Sequence, residues 1–317
     1  MASAATEREE NVLIESGPCS AIVLPHYGGK IASLRFQGHE LLQPPLAPIA
    51  PRTHDLPFDV SDASGWVECL PSVAACTVKT ATGPIQIPDH GDVWRVPCST
   101  TGRDAHSVAL TVSCFSLPLQ LARKLSFAET ENGARLSLDY KLTNTGDKPV
   151  PWSWAAHPLF TAALGDRIVL PDSVHTLRLE SSGGNRLGSS GDEKQWPIAE
   201  QSNGTNTDLS WVAAADSGFG DKLFAGPMNG DAGWCALERP SAGVRIKVSF
   251  DPSATPYIGL WICYGGWPER PGPKQVCVAL EPGTAPVDSL SPTGPWTRTL
   301  APGESTIWPM YVDLETL

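Results

Sequence analysis

Most of the features that assign a function directly are missing from this sequence. No run approaches the ~18 apolar residues that a membrane-spanning helix needs, so no membrane partner is expected. No basic run stands out either. The 23 lysines and arginines are outnumbered by 34 aspartates and glutamates, for a formal net charge of -11. That balance argues against nucleic acid and against anionic membrane surfaces. The eight cysteines contain no CxxC pair, and no His/Cys spacing or HExxH suits zinc, so no metal site is expected. GxSxG is absent, as is a phosphate-binding glycine loop ahead of a helix. The opening MASAATEREE has no apolar stretch, so it does not read as a signal peptide. Reduced thiols and a cytoplasmic setting are the expectation.

Long amphipathic helices are also lacking. The 29 glycines and 30 prolines punctuate the 317 residues constantly, and short stretches of period-two alternation lie between them. Ala21 to Pro25 and Ile31 to Phe36 predict a hairpin turned at Gly28-Gly29. Alternation around Val108, Leu136 and Val244 predicts strands with one wet face. Tyr257 to Tyr264 is apolar throughout and predicts a strand buried on both faces, and Ile307 to Leu314 predicts a closing strand. Leu41 to Asp59 and Ser181 to Ser210 read as long loops. The expectation is an all-β protein, with two large, mostly antiparallel sheets face to face. Residues 1–10 read as a flexible N-terminus and 11–317 as one domain.

Two strands carry the strongest chemical signal. In PWSWAAHPLF, Trp152, Trp154 and Ala156 share one face, and Ser153, Ala155 and His157 share the other. The tryptophan face suits a core; the small-residue face ends in an imidazole. Pro158 then predicts the end of regular pairing. In VCVALEP, Cys277, Ala279 and Glu281 share a roomy face, and Pro282 follows. A buried carboxylate is costly without partners or work to do. The plain alternatives are a core histidine bonded to backbone and a buried ion pair. No basic residue lies near Glu281 in sequence.

Weaker candidates surround these. His90 sits in the turn-like PDHGDVW, where imidazole, carboxylates and the indole of Trp94 suit a sugar contact. A surface turn explains the same residues. Trp66 and Glu68 face alike in GWVEC, as an edge strand would also have them. Asp221 is a loop carboxylate whose default is solvent. The eleven tryptophans suit carbohydrate as well as core.

Together these motifs resemble the aldose 1-epimerase (galactose mutarotase-like) family, in order and over nearly the whole chain. HYGGKIASLRFQGHELL is similar to its opening hairpin, PDHGDVW to its first histidine loop, and LTNTGDKPVPWSWAAHPLF to its second histidine segment. ALEPGTAPVDSL resembles the strand bearing its catalytic glutamate, and LAPGES its last turn. The resemblance implies a β-supersandwich with a monosaccharide across one concave sheet and no cofactor. His157 would be the general acid and Glu281 the general base of ring opening. His90 would hydrogen-bond near the sugar's ring oxygen, and Asp221 would match the family's sugar-hydroxyl-binding aspartate. Trp66, Glu68 and Trp94 are candidate substrate contacts on their residue types alone, and a monomer or homodimer is expected. The family's substrate-binding arginine has no counterpart in GWVECLPSV. Trp94 stands where the hexose-phosphate branch has an arginine, which disfavours a phosphosugar. Two other functions fit the same fold. One is a non-catalytic carbohydrate-binding protein; the other is a glycoside hydrolase or lyase pairing Glu281 with Glu68 or Asp221.

Overall fold

The computed structural model describes residues 11–81 and 83–317, so the expected flexible segment 1–10 lies outside the described residues. Among the described residues there is no α-helix, only 3₁₀ turns of three residues. An 11-stranded sheet runs, in spatial order, through Val12–Ser16, Cys19–Leu24, Lys30–Phe36, Trp66–Cys69, Ala155–Thr161, Val276–Gly283, Tyr257–Tyr264, Phe219–Ala225, Thr176–Ser182 and Glu193–Gln195. His39–Glu40 pairs beside Lys30–Phe36. An 8-stranded sheet runs through Arg167–Val169, Trp234–Arg239, Val244–Phe250, Ser305–Thr316, Gly133–Asn144, Leu119–Thr130, Ser107–Ser113 and Ser99–Arg103. Neighbours in both sheets are antiparallel.

Period-two alternation explains why the sheets stack. Val244, Ile246 and Val248 are fully buried, while Arg245, Lys247 and Ser249 between them are half-exposed. Leu136, Leu138 and Tyr140 do the same on their strand. These side chains join Trp154, Ala156, Leu260, Ile262, Val278 and Leu280 of the larger sheet in one core. Burying each such leucine or isoleucine contributes roughly 1.5–3 kcal/mol. Trp152 and Trp154 both pack on Trp308 of the opposite sheet, with ring centroids 5.8 and 5.0 Å away. Tyr257–Tyr264 is central and buried on both faces, with Trp261 its one half-exposed residue. The closing strand is longer than the sequence pattern predicts, Ser305–Thr316, and lies inside its sheet. The first hairpin turns through Pro25–Tyr27 and Gly28, whose φ of +71° and 2.4 Å approach of a Cβ to the Val93 carbonyl oxygen require glycine. None of the eight cysteines is in a disulfide, and no described helix is long and apolar enough to cross a membrane.

Two expectations change. Pro158 and Pro282 do not end their strands, which continue to Thr161 and Gly283. Pro158 lies opposite Trp66, and Pro282 opposite Ile258, so each proline loses one donor without ending the ladder. His157 therefore sits inside a strand rather than at its end. The Leu41–Asp59 stretch is irregular and its residues 44–57 are exposed or half-exposed, as a surface loop requires, while its two ends are held. Leu41, Leu42 and Gln43 are buried at one end and Phe58 at the other. Asp62, just beyond, takes an ion pair from Arg52 at 2.5 Å and another from Lys30, which pins the segment to the sheet. Finally, 181–210 contains ordered strands, including the hairpin of Ile198–Glu200 with Asn206–Asp208.

Candidate active site

Three strands of the larger sheet bring the chemistry together. The glutamate strand, Val276–Gly283, lies between the histidine strand, Ala155–Thr161, and the tryptophan strand, Tyr257–Tyr264. Alternation turns Val278 and Leu280 into the core and Ala279 and Glu281 to the other face. Ala155 pairs with Gly283, and Leu159 with Ala279, which brackets His157 directly across from Glu281. His157 Nε2 lies 3.7 Å from Glu281 Oε1.

A lysine completes the group. Lys222, on Phe219–Ala225, lies across the tryptophan strand from Glu281 and donates a hydrogen bond to Glu281 Oε2. It also lies 3.5 Å from Asp288 Oδ1. Gly259, between them, is paired with both Phe224 and Glu281. A Cβ there would come within 3.2 Å of Glu281 Oε2 and of the Phe224 ring, so the absent side chain leaves the passage open. Glu281 is thus an ion-pair partner, although Lys222 lies 59 residues away. Its other oxygen, Oε1, is buried and has no hydrogen-bond partner, as is true of His157 Nδ1. An oxygen at ordinary hydrogen-bond distance from both Nε2 and Oε1, ~2.8 Å from each, fits off the line joining them.

His157 and Lys222 line a cavity of about 330 Å³. That is near the lower end of the ~300–1,000 Å³ usual for small-molecule sites. His90 forms one wall from a left-handed backbone conformation, φ 58°. Its Nδ1 is 2.9 Å from Asp89 Oδ2, its ring stacks on Phe58 at 3.8 Å, and it meets His157 edge-on at 5.1 Å. Trp261 and Trp267 supply flat apolar surface. The Trp261 indole is fixed by donating to Gln275 Oε1 at 2.9 Å.

Electrostatics separates the groups. Burial pushes the His157 imidazole well below its ordinary pKa, helped by the charges of His90 and Lys222 and opposed by Asp89. Burial disfavours the Lys222 ammonium, but Asp288 and Glu281 outweigh it and hold the lysine charged. Burial raises the Asp288 carboxyl, with Glu281 adding to the effect and Lys222 opposing it. Burial would raise Asp89 too, but its hydrogen bond to His90 and the charges of His90 and Arg95 bring it below the usual carboxylate range. Among the described residues, no three His, Cys, Asp or Glu side chains are gathered as a metal site.

The other sequence candidates lie elsewhere. Trp66 is fully buried in the core against Phe160. Glu68 points the same way, between the sheets, and accepts from Arg123 at 2.5 Å, Tyr140 at 3.1 Å and Trp154 at 2.9 Å. Trp94 is buried beneath Phe58, with Arg52 and Arg95 over its ring. Asp221 is fully buried, accepts from Ser182 at 2.5 Å, and is paired with Arg186. Alternation turns its neighbour Lys222, not Asp221, toward the cavity. Both carboxylates named for a hydrolase pair with Glu281 are therefore committed away from the cavity. Sequence reasoning missed Lys222, Asp288, Phe58, Trp261 and Trp267. The adjacency of Asp221 and Lys222 was the one local hint.

No family model and no curated protein matches the sequence. Solved structures do. A protein from Synechocystis sp. PCC 6803 superposes with a TM-score of 0.72 at 17% identity, covering 98% of this chain and 97% of its own. A candidate aldose 1-epimerase from Escherichia coli K12 gives 0.70 at 20% identity, over 97% and 99%. A galactose mutarotase-like protein from Lactobacillus casei ATCC 334 gives 0.63 at 18% identity, over 96% and 100%. At these identities the likeness defines the fold: an all-β, galactose mutarotase-like sandwich.

Proposed function

We propose that this protein is an aldose 1-epimerase, interconverting the α and β anomers of a monosaccharide. The observation that carries the reading is the 3.7 Å approach of His157 Nε2 to Glu281 Oε1 beside a cavity sized for a small ligand. Mutarotation needs the two groups close together. The anomeric hydroxyl and the ring oxygen are bonded to one carbon, so the base and the acid must stand within a few ångström of each other.

Glu281 Oε1 takes the proton of the anomeric hydroxyl while protonated His157 gives one to the ring oxygen. The ring C–O bond breaks, the aldehyde turns about its C–C bond, and the ring closes on the other face with the roles reversed. The electron count of the sugar does not change, so the chemistry needs no redox cofactor. The depressed imidazole of His157 makes its protonated form a strong donor, scarce near neutral pH. His90, Trp261 and Trp267 would hold the ring, the indoles against its apolar face.

Polarimetry on freshly dissolved aldose tests the proposal. Wild-type protein is expected to speed anomer equilibration, and Glu281→Gln and His157→Ala each to lose roughly 10²–10⁴-fold, the worth of one positioned proton transfer. Wild-type rates in both folded variants would refute it. Tight sugar binding without faster equilibration would point to the binding-protein reading instead.

A further inference from the structure

We propose that Lys222 is a positioning residue for this reaction: it ties down one oxygen of Glu281 and leaves the other as the acceptor that faces His157. The inference rests on the epimerase reading and extends it to a residue outside the acid–base pair.

The geometry of Glu281 is asymmetric, and leaving a buried acceptor without a partner costs about 1–3 kcal/mol. Glu281 is 1% exposed, yet only Oε2 is bonded, to Lys222. Oε1 is left without a partner and is the oxygen nearest His157. The lysine is itself held. Asp288 lies 3.5 Å from Nζ, and the ammonium is 5.3 Å from the centre of the Phe224 ring. Gly259 leaves the gap through which the two side chains meet. A glutamate side chain has three rotatable bonds; fixed by one oxygen, it presents the other in one direction.

The same ammonium acts on the acid. The charged or titratable groups facing His157 are Glu281 on the adjacent strand, His90 and Asp89 on the loop across the cavity, and Lys222 two strands beyond Glu281. Those facing Lys222 are Glu281 and Asp288, with the buried Cys69 thiol nearby. Lys222 is therefore the fixed positive charge of the group. Removing it makes the imidazolium easier to form, while freeing Glu281 to turn from its working direction.

The experiment compares Lys222→Met and Lys222→Arg with wild type in two measurements: polarimetric kcat and KM, and the NMR titration of the His157 imidazole. The methionine variant is expected to lose about 10²-fold in kcat, the scale of a roughly 1 Å misplacement, with KM little changed. Its imidazole is expected to titrate at higher pH, and the arginine variant to recover part of both. Lys222→Gln replaces the methionine variant if the latter does not fold. A folded variant with wild-type kcat would overturn the proposal, as would a loss of kcat with the imidazole titration unmoved. If wild type equilibrates no aldose, the epimerase reading itself fails. The titration then decides alone: a shift supports the coupling of Lys222 to the pair, and no shift overturns it.

Discussion

His157 shows how one residue links stability to chemistry. An imidazole in an unfolded chain titrates near ~6.5, and burial beside His90 and Lys222 holds this one well below that. Below pH ~6.5 the unfolded chain therefore binds a proton that the native site refuses. The contribution of this group to stability falls as pH drops from ~6.5 toward the depressed value. Replacing His157 with Gln should flatten that part of the curve, as read by urea unfolding midpoints between pH 7 and 5. An unchanged slope would show that the imidazole is not buried in its neutral form. The residue scale is also where sequence reading was least secure. His157 and Glu281 were visible because each ends a small-residue face. The sequence motif points to Asp221 rather than Lys222, and one step along a strand reverses the side chain. Which of two adjacent polar residues faces a cavity depends on register with strands far away in sequence, here the pairing of Lys222 with Trp261.

Most of the fold was legible at the scale of elements. Alternation marked the strands of the second sheet, and the continuous apolar run of Tyr257–Tyr264 marked a central strand. The prolines misled, because losing one donor does not end a strand whose other groups stay paired. The prolines from Leu41 to Asp59 mark a surface loop, but nothing local shows that Phe58 at its end stacks beneath His90. Gly259 looked unremarkable in an apolar run, yet it keeps the path open between Lys222 and Glu281. Gly259→Ala tests that role. The methyl group would press on Glu281 and on the Phe224 ring, both at 3.2 Å, and must displace one of them. We expect kcat to fall several-fold to about 10²-fold with a smaller effect on KM. A folded variant with wild-type kinetics would show that the passage is not needed.

If the protein is an aldose 1-epimerase as proposed, the charge of the whole molecule bears on which sugar would enter. The chain carries a formal net charge of -11. Among the described residues, Lys222 is the one lysine or arginine lining the cavity, and two carboxylates already hold it. Asp59, Asp89 and Asp288 line the same space. A phosphate would meet this wall with no free cation to receive it, at the cost of desolvation and like-charge repulsion. A neutral aldose should therefore be equilibrated at least 10-fold faster, by kcat/KM, than its 6-phosphate, with the margin narrowing as salt rises. Equal rates would show that an unrecognised group receives the phosphate. The same acid–base pair sets the test of the whole account: the pH dependence of anomer exchange for a neutral aldose, followed by exchange NMR alongside the titration of His157. Exchange is expected to quicken as pH falls from 7, with an inflection below ~6.5 that coincides with the imidazole's own titration and vanishes in His157→Gln. No enzymatic exchange at any pH, or an inflection that survives that substitution, would contradict it.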